Sequence, residues 1–224
     1  MNAEEIALYL KTHPEFFEQH GDLLTQIRIP DPHGGAAISL AERQVTLLRD
    51  KARVLESKLA ELIGYGEEND VIAEKVHRLA MALLGVDSLA GAVHVLNTHL
   101  SGSFAVPHVA VRIWGVGGGL DGEGVPNEFL PVSDTLKALA GSLHRPYCGS
   151  ANGQEAAALF GEQGGHVRSL AQIPLREDGV EGGACFGVLV LASEEVERFY
   201  PDMGVMFLTR IGDLAASTLL RVVD

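Results

Sequence analysis

Cysteine is almost absent from the chain. Cys148 and Cys185 are two thiols in 224 residues, without C-x-x-C spacing, so neither a disulfide framework nor a zinc site is indicated. Both are expected to be buried free thiols. Aromatic residues make up 6% of the chain, with a single tryptophan, Trp114. No apolar run approaches the ~20 residues needed to cross a bilayer. The start, MNAEEIALYL, places acids where a secretory signal would carry Lys or Arg. These absences predict a cytoplasmic protein with no membrane contact.

Positive charge is scarce as well: 17 Lys and Arg stand against 30 Asp and Glu, for a formal net charge of -13. Such a field repels phosphate backbones. The nearest basic stretch, Arg43, Arg49, Lys51, Arg53 and Lys58, is interleaved with Glu42, Asp50, Glu56 and Glu61, as on a solvated helix face. Nucleic acid is therefore not expected as a partner.

Signatures of catalysis are missing too. No G-K-[ST] phosphate loop, H-E-x-x-H or G-x-S-x-G occurs. Gly117, Gly119 and Gly122 satisfy G-x-G-x-x-G after a strand. Pro126 and a nonhelical stretch follow, however, where a helix N-terminus would be needed to hold a pyrophosphate. The stretch 115–124 reads instead as a hairpin loop. His94 and His99 are i, i+5 on a helix, a spacing that does not set imidazoles side by side. With His108 they read as scattered histidines. No catalytic residue, metal or cofactor is indicated.

What is present is the profile of a folded chain, 46% hydrophobic and 21% charged. Residues 3–27 predict one or two short helices whose apolar surface includes Ile6, Leu8, Leu10, Phe16, Phe17, Leu23, Leu24 and Ile27, with Pro14 opening the second. Phe16 and Phe17 are expected to pack on the chain itself, with a protein partner as the rival reading. IPDPHGGAAIS, residues 29–39, contains two prolines and two glycines and reads as a connector. Ser39 and Glu42 then stand in capping-box relation and predict the start of a long helix.

A heptad follows. Val45, Ala52 and Leu59 fall on position a, and Leu48, Leu55 and Leu62 on position d. In a parallel pair Lys51 at g would face Glu56 at e of the second chain. The seam predicts a homodimer; its rival is an amphipathic helix lying on its own domain. Gly64 and Gly66 each cost a helix about 1 kcal/mol relative to Ala, and predict a kink or hinge beyond the seam.

In the C-terminal part, Asp87 can cap a helix to about Ser101. HVAVRIWG alternates as a strand, with Val109, Val111 and Ile113 on one face and Ala110, Arg112 and Trp114 on the other. Residues 134–143 and 154–161 read as helical, VRSLAQIPL and GACFGVLVLAS as strands, and 202–222 as a closing helix with Pro201 in its first turn. This order predicts an α+β fold, an antiparallel sheet with helices packed on it.

SLAQIPL, GACFGVLVLAS, the turn from Phe199 to Asp202 and the ending LAASTLLR resemble the paired late strands and terminal helix of GAF domains over roughly residues 70–222. At the front, YLKTHPEFFEQHGDLL and IRIPDPHGGAAISLAERQVTLLRDKARVLESKL are similar to the bacterial family catalogued as domain of unknown function family 484. The resemblances imply three parts: an N-terminal helical segment over 1–38, a heptad coiled coil over 39–66, and a GAF-like domain over 67–224. They carry no catalytic residues. Asn127, Phe129 and Asp134 only partly match the cyclic-nucleotide constellation of GAF domains, lacking its Lys and its Asp-Glu pair, so that ligand is not implied.

The resemblance does place a pocket between sheet and inserted helices, at positions including Arg112, Trp114, Tyr147, Phe160, Ser169 and Ala171. A midstrand arginine must either pair internally or meet an anionic ligand, and internal pairing is the first expectation for Arg112. The reading is a noncatalytic GAF-like regulatory or interaction module, dimeric through its helices and open to a small ligand or a protein partner. The alternatives are a GAF-fold enzyme using cysteine redox chemistry and a ligand-free scaffold.

Overall fold

The computed structural model describes residues 2–29, 38–116, 125–177 and 183–223. Most of the expected connector over 29–39 and the glycine spacing at 117–122 lie outside these. The chain divides into two compact units, Met1–Glu67 and Glu68–Asp224.

In the first unit, Asn2 and Glu5 form a reciprocal capping box that starts α1 (Ala3–Thr12). Two one-turn helices follow, α2 (Phe16–Gln19) and α3 (Leu23–Gln26), so the front end holds three short helices where one or two were expected. Phe16 and Phe17 meet edge to face at 5.4 Å between ring centroids, the self-packing that paired aromatics favour. Strands β1 (Arg28–Ile29) and β2 (Ile38–Ser39) pair antiparallel.

The second capping box forms as its spacing predicts. The Ser39 amide and hydroxyl donate to Glu42 Oε2 at 2.8 and 2.9 Å, and the Glu42 amide donates to Ser39 Oγ at 3.2 Å. Helix α4 starts there and runs from Leu40 to Leu84. It passes through Gly64 and Gly66 without interruption, contrary to the expected break. Breaking a long helix forfeits several backbone hydrogen bonds and a second nucleation, which outweighs the propensity cost of two glycines. Among the described residues of this unit Ser39 alone is buried.

The second unit begins with the last turns of α4, which bury Val76, Leu79 and Leu83 at helical spacing. Ser88 rather than Asp87 caps α5 (Leu89–Thr98), its hydroxyl accepting from the Gly91 amide at 3.3 Å. A π-helical turn, His99–Ser103, extends α5. Then come β3 (His108–Ile113), a 3-10 turn at Asn127–Phe129, α6 (Asp134–Ser142) and β4 (Tyr147–Ser150). A kinked 3-10 segment, Glu155–Gly165, leads to β5 (Ser169–Arg176) and β6 (Cys185–Ser193). The kink is at Gly161, whose φ of 57° is accessible mainly to glycine. Helix α7 (Met206–Val223) closes the unit; it begins after a turn containing Pro201 rather than at Pro201.

The sheet is antiparallel throughout, in the order β3-β6-β5-β4, which confirms the α+β class. Strand β4 escapes sequence reading because YCGS is four residues long and contains glycine and serine, both weak strand formers. One sheet face, with Val111, Ile113, Ala171, Ile173, Leu189 and Leu191, packs on Leu79, Leu96, Ile211, Ala215 and Leu219 of the helices. The other, with Leu170, Val188, Val190 and Ala192, packs on Leu136, Ala140 and Ala156 of the segment inserted between β3 and β5.

The Glu42 carboxyl is held below its ordinary value of 4.5, first by the Ser39 amide and then by its hydroxyl. A depressed carboxylate stabilises above its unfolded value and loses that contribution as pH falls through the folded one. The first turn of α4 should therefore fray on acidification below about pH 4. Protection of the Ser39 and Glu42 amides in hydrogen exchange should fall there, and Glu42→Gln should abolish that pH step.

Candidate functional site

The inserted segment places two clefts against β3, one of the two outer strands of the sheet. One, about 330 Å³, is walled by Val93 and Asn97 of α5, the strand itself, Asn127 and Glu128 of the 3-10 turn, and Leu159 and Phe160. The other, about 270 Å³, is walled by residues 130–133, Leu136, Glu155, Ala158 and Leu159. Arg112 and Leu159 belong to both.

Strand register explains why Arg112 stands there. The Trp114 amide donates to Phe186 O at 2.7 Å, so antiparallel alternation sends the peptide groups of Ala110 and Arg112 toward β6 and those of Val109 and Val111 toward the open edge. The Arg112 guanidinium follows that edge, its Nη1 donating to Val111 O at 2.8 Å. Among the described residues no carboxylate lies within 4.0 Å of Arg112, so the expected internal ion pair is not found there. Burial lowers its pKa from the ordinary arginine value, and the charge of Glu128 partly opposes this. The group stays a cation at neutral pH, half-buried and without an ion-paired carboxylate among the described residues.

The other sequence-predicted pocket residues scatter. Phe160 shares the larger cleft with Arg112, and the His108 ring lies 5.7 Å from it. Trp114 packs in the core beneath the insertion and donates from Nε1 to Cys185 O at 3.0 Å. Tyr147 lines a separate cleft of about 420 Å³ with Arg145, Cys148 and Asp202. Ser169 and Ala171 line none of these clefts. Ser169 Oγ donates to Glu195 O at 2.6 Å and accepts from the Phe199 amide at 3.3 Å, while Ala171 joins the core on the helical face. Residues with their parity along β5 point away from the insertion, whereas Leu170 and Gln172 point toward it.

Sequence reasoning missed the polar groups beneath the insertion. Gln172, 1% exposed, donates to Gln154 Oε1 at 3.0 Å, and Gln154 donates to the Tyr147 hydroxyl at 3.3 Å. Gln172 Oε1 is buried without a hydrogen-bond partner among the described residues. Arg176 is buried as well. Its Nη2 donates to Gly141 O and Leu143 O at 2.6 and 3.0 Å, and its Nη1 to Gly183 O at 3.0 Å. This places a cation on the carbonyl end of α6, where the helix dipole favours positive charge. The available signal was a lone polar residue at each of these positions in the otherwise apolar run LAQIPLR.

Neither thiol is activated. Burial pushes Cys148 up to about 11 and also raises Cys185, whose Sγ donates to Gly187 O at 3.3 Å. The two residues sit on β4 and β6 with β5 between them, so they do not form a pair. Nucleophilic or redox thiol chemistry needs the opposite shift. At pH 7.5 Cys148, read alone in a Cys185→Ser variant, should react with Ellman's reagent about a hundredfold more slowly in the native than in the denatured chain, reflecting a thiolate fraction about two decades lower.

Among the described residues no helix is long and apolar enough to cross a membrane, and no cluster of His, Cys, Asp and Glu could hold a metal ion. The chain is 24% identical over 224 residues to the uncharacterized protein YigA of Salmonella typhimurium, covering 95% of this chain and 88% of that one. Two solved structures are similar over 67% of this chain. One is the GAF domain of A. aeolicus NLH2 in an inactive state, at 17% identity, 96% of that chain and a TM-score of 0.45. The other is the native GAF domain of the potassium sensor histidine kinase KdpD from Escherichia coli, at 16% identity, 94% of that chain and a TM-score of 0.36. The family model described as "Protein of unknown function, DUF484" matches residues 1–224, and the chain belongs to that family.

Proposed function

We propose that the protein is a noncatalytic GAF-like regulatory or interaction module that dimerises through α4 and takes a small anionic ligand at Arg112. The observation carrying this reading is the exposed heptad face. Leu48, Leu55, Leu59 and Leu62 are 66%, 58%, 59% and 65% exposed, and Val45 and Ala52 are exposed with them. With Ser39 as the one buried residue among those described, the first unit has no core of its own. A unit of that size needs a partner to bury apolar surface. A second copy fits best, because the a and d positions would interlock and Lys51 would meet Glu56 of the other chain.

Sedimentation equilibrium at micromolar concentration should give twice the chain mass of 23.9 kDa. The double variant Leu55→Glu with Leu59→Glu should give a monomer whose β-sheet signature persists in circular dichroism. A wild-type monomer would sink the dimer.

For the ligand, the supporting observation is a half-buried cation facing two clefts, with no carboxylate within 4.0 Å of it among the described residues. Inorganic phosphate and succinate serve as probes. At a hundredfold excess over Kd either should add about 2.7 kcal/mol to stability, a rise of several degrees in Tm that Arg112→Gln removes. If Arg112 serves only to cover the open edge of β3 through its bond to Val111 O, these anions will leave wild type and variant unshifted.

A further inference from the structure

A fourth cleft, about 270 Å³, opens on the opposite sheet face from Arg112, the face that carries Leu191. It lies wholly in the second unit. Its walls are apolar: Ile72 of α4, Leu100 and Phe104 at the π-helical turn, Phe199 and Met203 of the loop before α7, and Phe207 of α7. Two cations edge it. Lys75 is half-buried with Nζ 5.8 Å from the centre of the Phe104 ring, and Arg198 Nη2 donates to Phe104 O at 2.6 Å. Both therefore converge on Phe104. Among the described residues neither is paired with a carboxylate.

The surroundings hold these groups in place. Buried Ser169 bonds Glu195 O and the Phe199 amide, which pins the loop that carries Arg198. On the other wall, the π-helical turn His99–Ser103 and Ala105, with a φ of 53°, fix the peptide that presents Phe104 O. π-helical turns and left-handed non-glycine residues are uncommon and collect at functional positions. An apolar cavity edged by two cations that no described carboxylate neutralises is complementary to an aliphatic chain that ends in an anion.

We propose that this cleft binds a medium-chain aliphatic carboxylate, its chain among Leu100, Phe104, Phe199 and Phe207 and its carboxylate between Lys75 and Arg198. A volume of 270 Å³ corresponds to about nine water-sized groups of ~30 Å³ each, room for a chain of about eight carbons.

The test is calorimetric titration of the full chain with octanoate, shorter carboxylates down to acetate, and uncharged 1-octanol. Octanoate should saturate one site per chain. Affinity should grow about fourfold per methylene from butanoate to octanoate, acetate should give no heat, and 1-octanol should bind about tenfold more weakly. Arg198→Gln should weaken octanoate about tenfold and leave 1-octanol unchanged. Gly204 lines the cleft, with nothing within 4 Å of an added Cβ, so Gly204→Trp should fill the space, abolish both ligands and leave the fold intact by circular dichroism. Arg112→Gln should bind octanoate as wild type does. The proposal is overturned by absence of saturable octanoate binding, by octanoate binding unaltered in Gly204→Trp, or by acetate binding as tightly as octanoate. Binding of an acidic amphipathic peptide without octanoate would likewise overturn it, by making the cleft a protein docking groove.

Discussion

Strand β6 is paired on both sides, by β3 and by β5, and covered on both faces, by helices on one and by the inserted segment on the other. Every residue from Phe186 to Ser193 is buried. A strand so enclosed has no permissible slip: moving by one residue would exchange the set facing α5 and α7 with the set facing α6. Arg112, opposite Val188, is thereby held on the insertion side. Ser169 and Ala171 are held on the helical side. Contact with β3 is also close at Gly187, where an added Cβ would stand 2.6 Å from Arg112 O. The strand that presents the candidate site has its position set by the most buried strand of the sheet.

The first unit obeys a different balance. Its helices are secured locally, by two capping boxes and by helix-forming residues along α4, while the apolar residues of its heptad face solvent. Local hydrogen bonding is enough to define helices but supplies no buried area. The hydrophobic effect, which dominates folding and association alike, therefore acts on this unit through whatever covers the Leu48 to Leu62 face. That is the physical basis for reading the front end as an association element.

Charge gives the second unit its chemical character. In a chain of net charge -13, Arg112, Arg176, Lys75 and Arg198 occupy half-buried, buried or cleft-edge positions without carboxylate partners among the described residues. Arg176 donates to three carbonyls from its two Nη atoms and serves α6, while its Nε is buried without a partner among the described residues. The remaining three border cavities. Anions are the species such places favour, and the raised thiols of Cys148 and Cys185 set these cavities apart from cysteine-based active sites.

The sequence by itself determined what depends on neighbours in the chain. The Ser39 capping box, the alternation of β3, the late strand pair and the closing helix all rest on spacings of two to four residues. Tertiary structure decided what depends on residues far apart. The short strand β4 exists because β5 offers it an edge, and α7 starts at Met206 because a turn carries the chain back from β6. The face taken by Ser169 and Ala171, the bond from Arg112 to Val111 O and the meeting of Lys75 with Arg198 at Phe104 were equally beyond local pattern. Side-chain parity in a buried sheet and the pairing of charges are set by which elements pack together, and packing is a property of the whole unit.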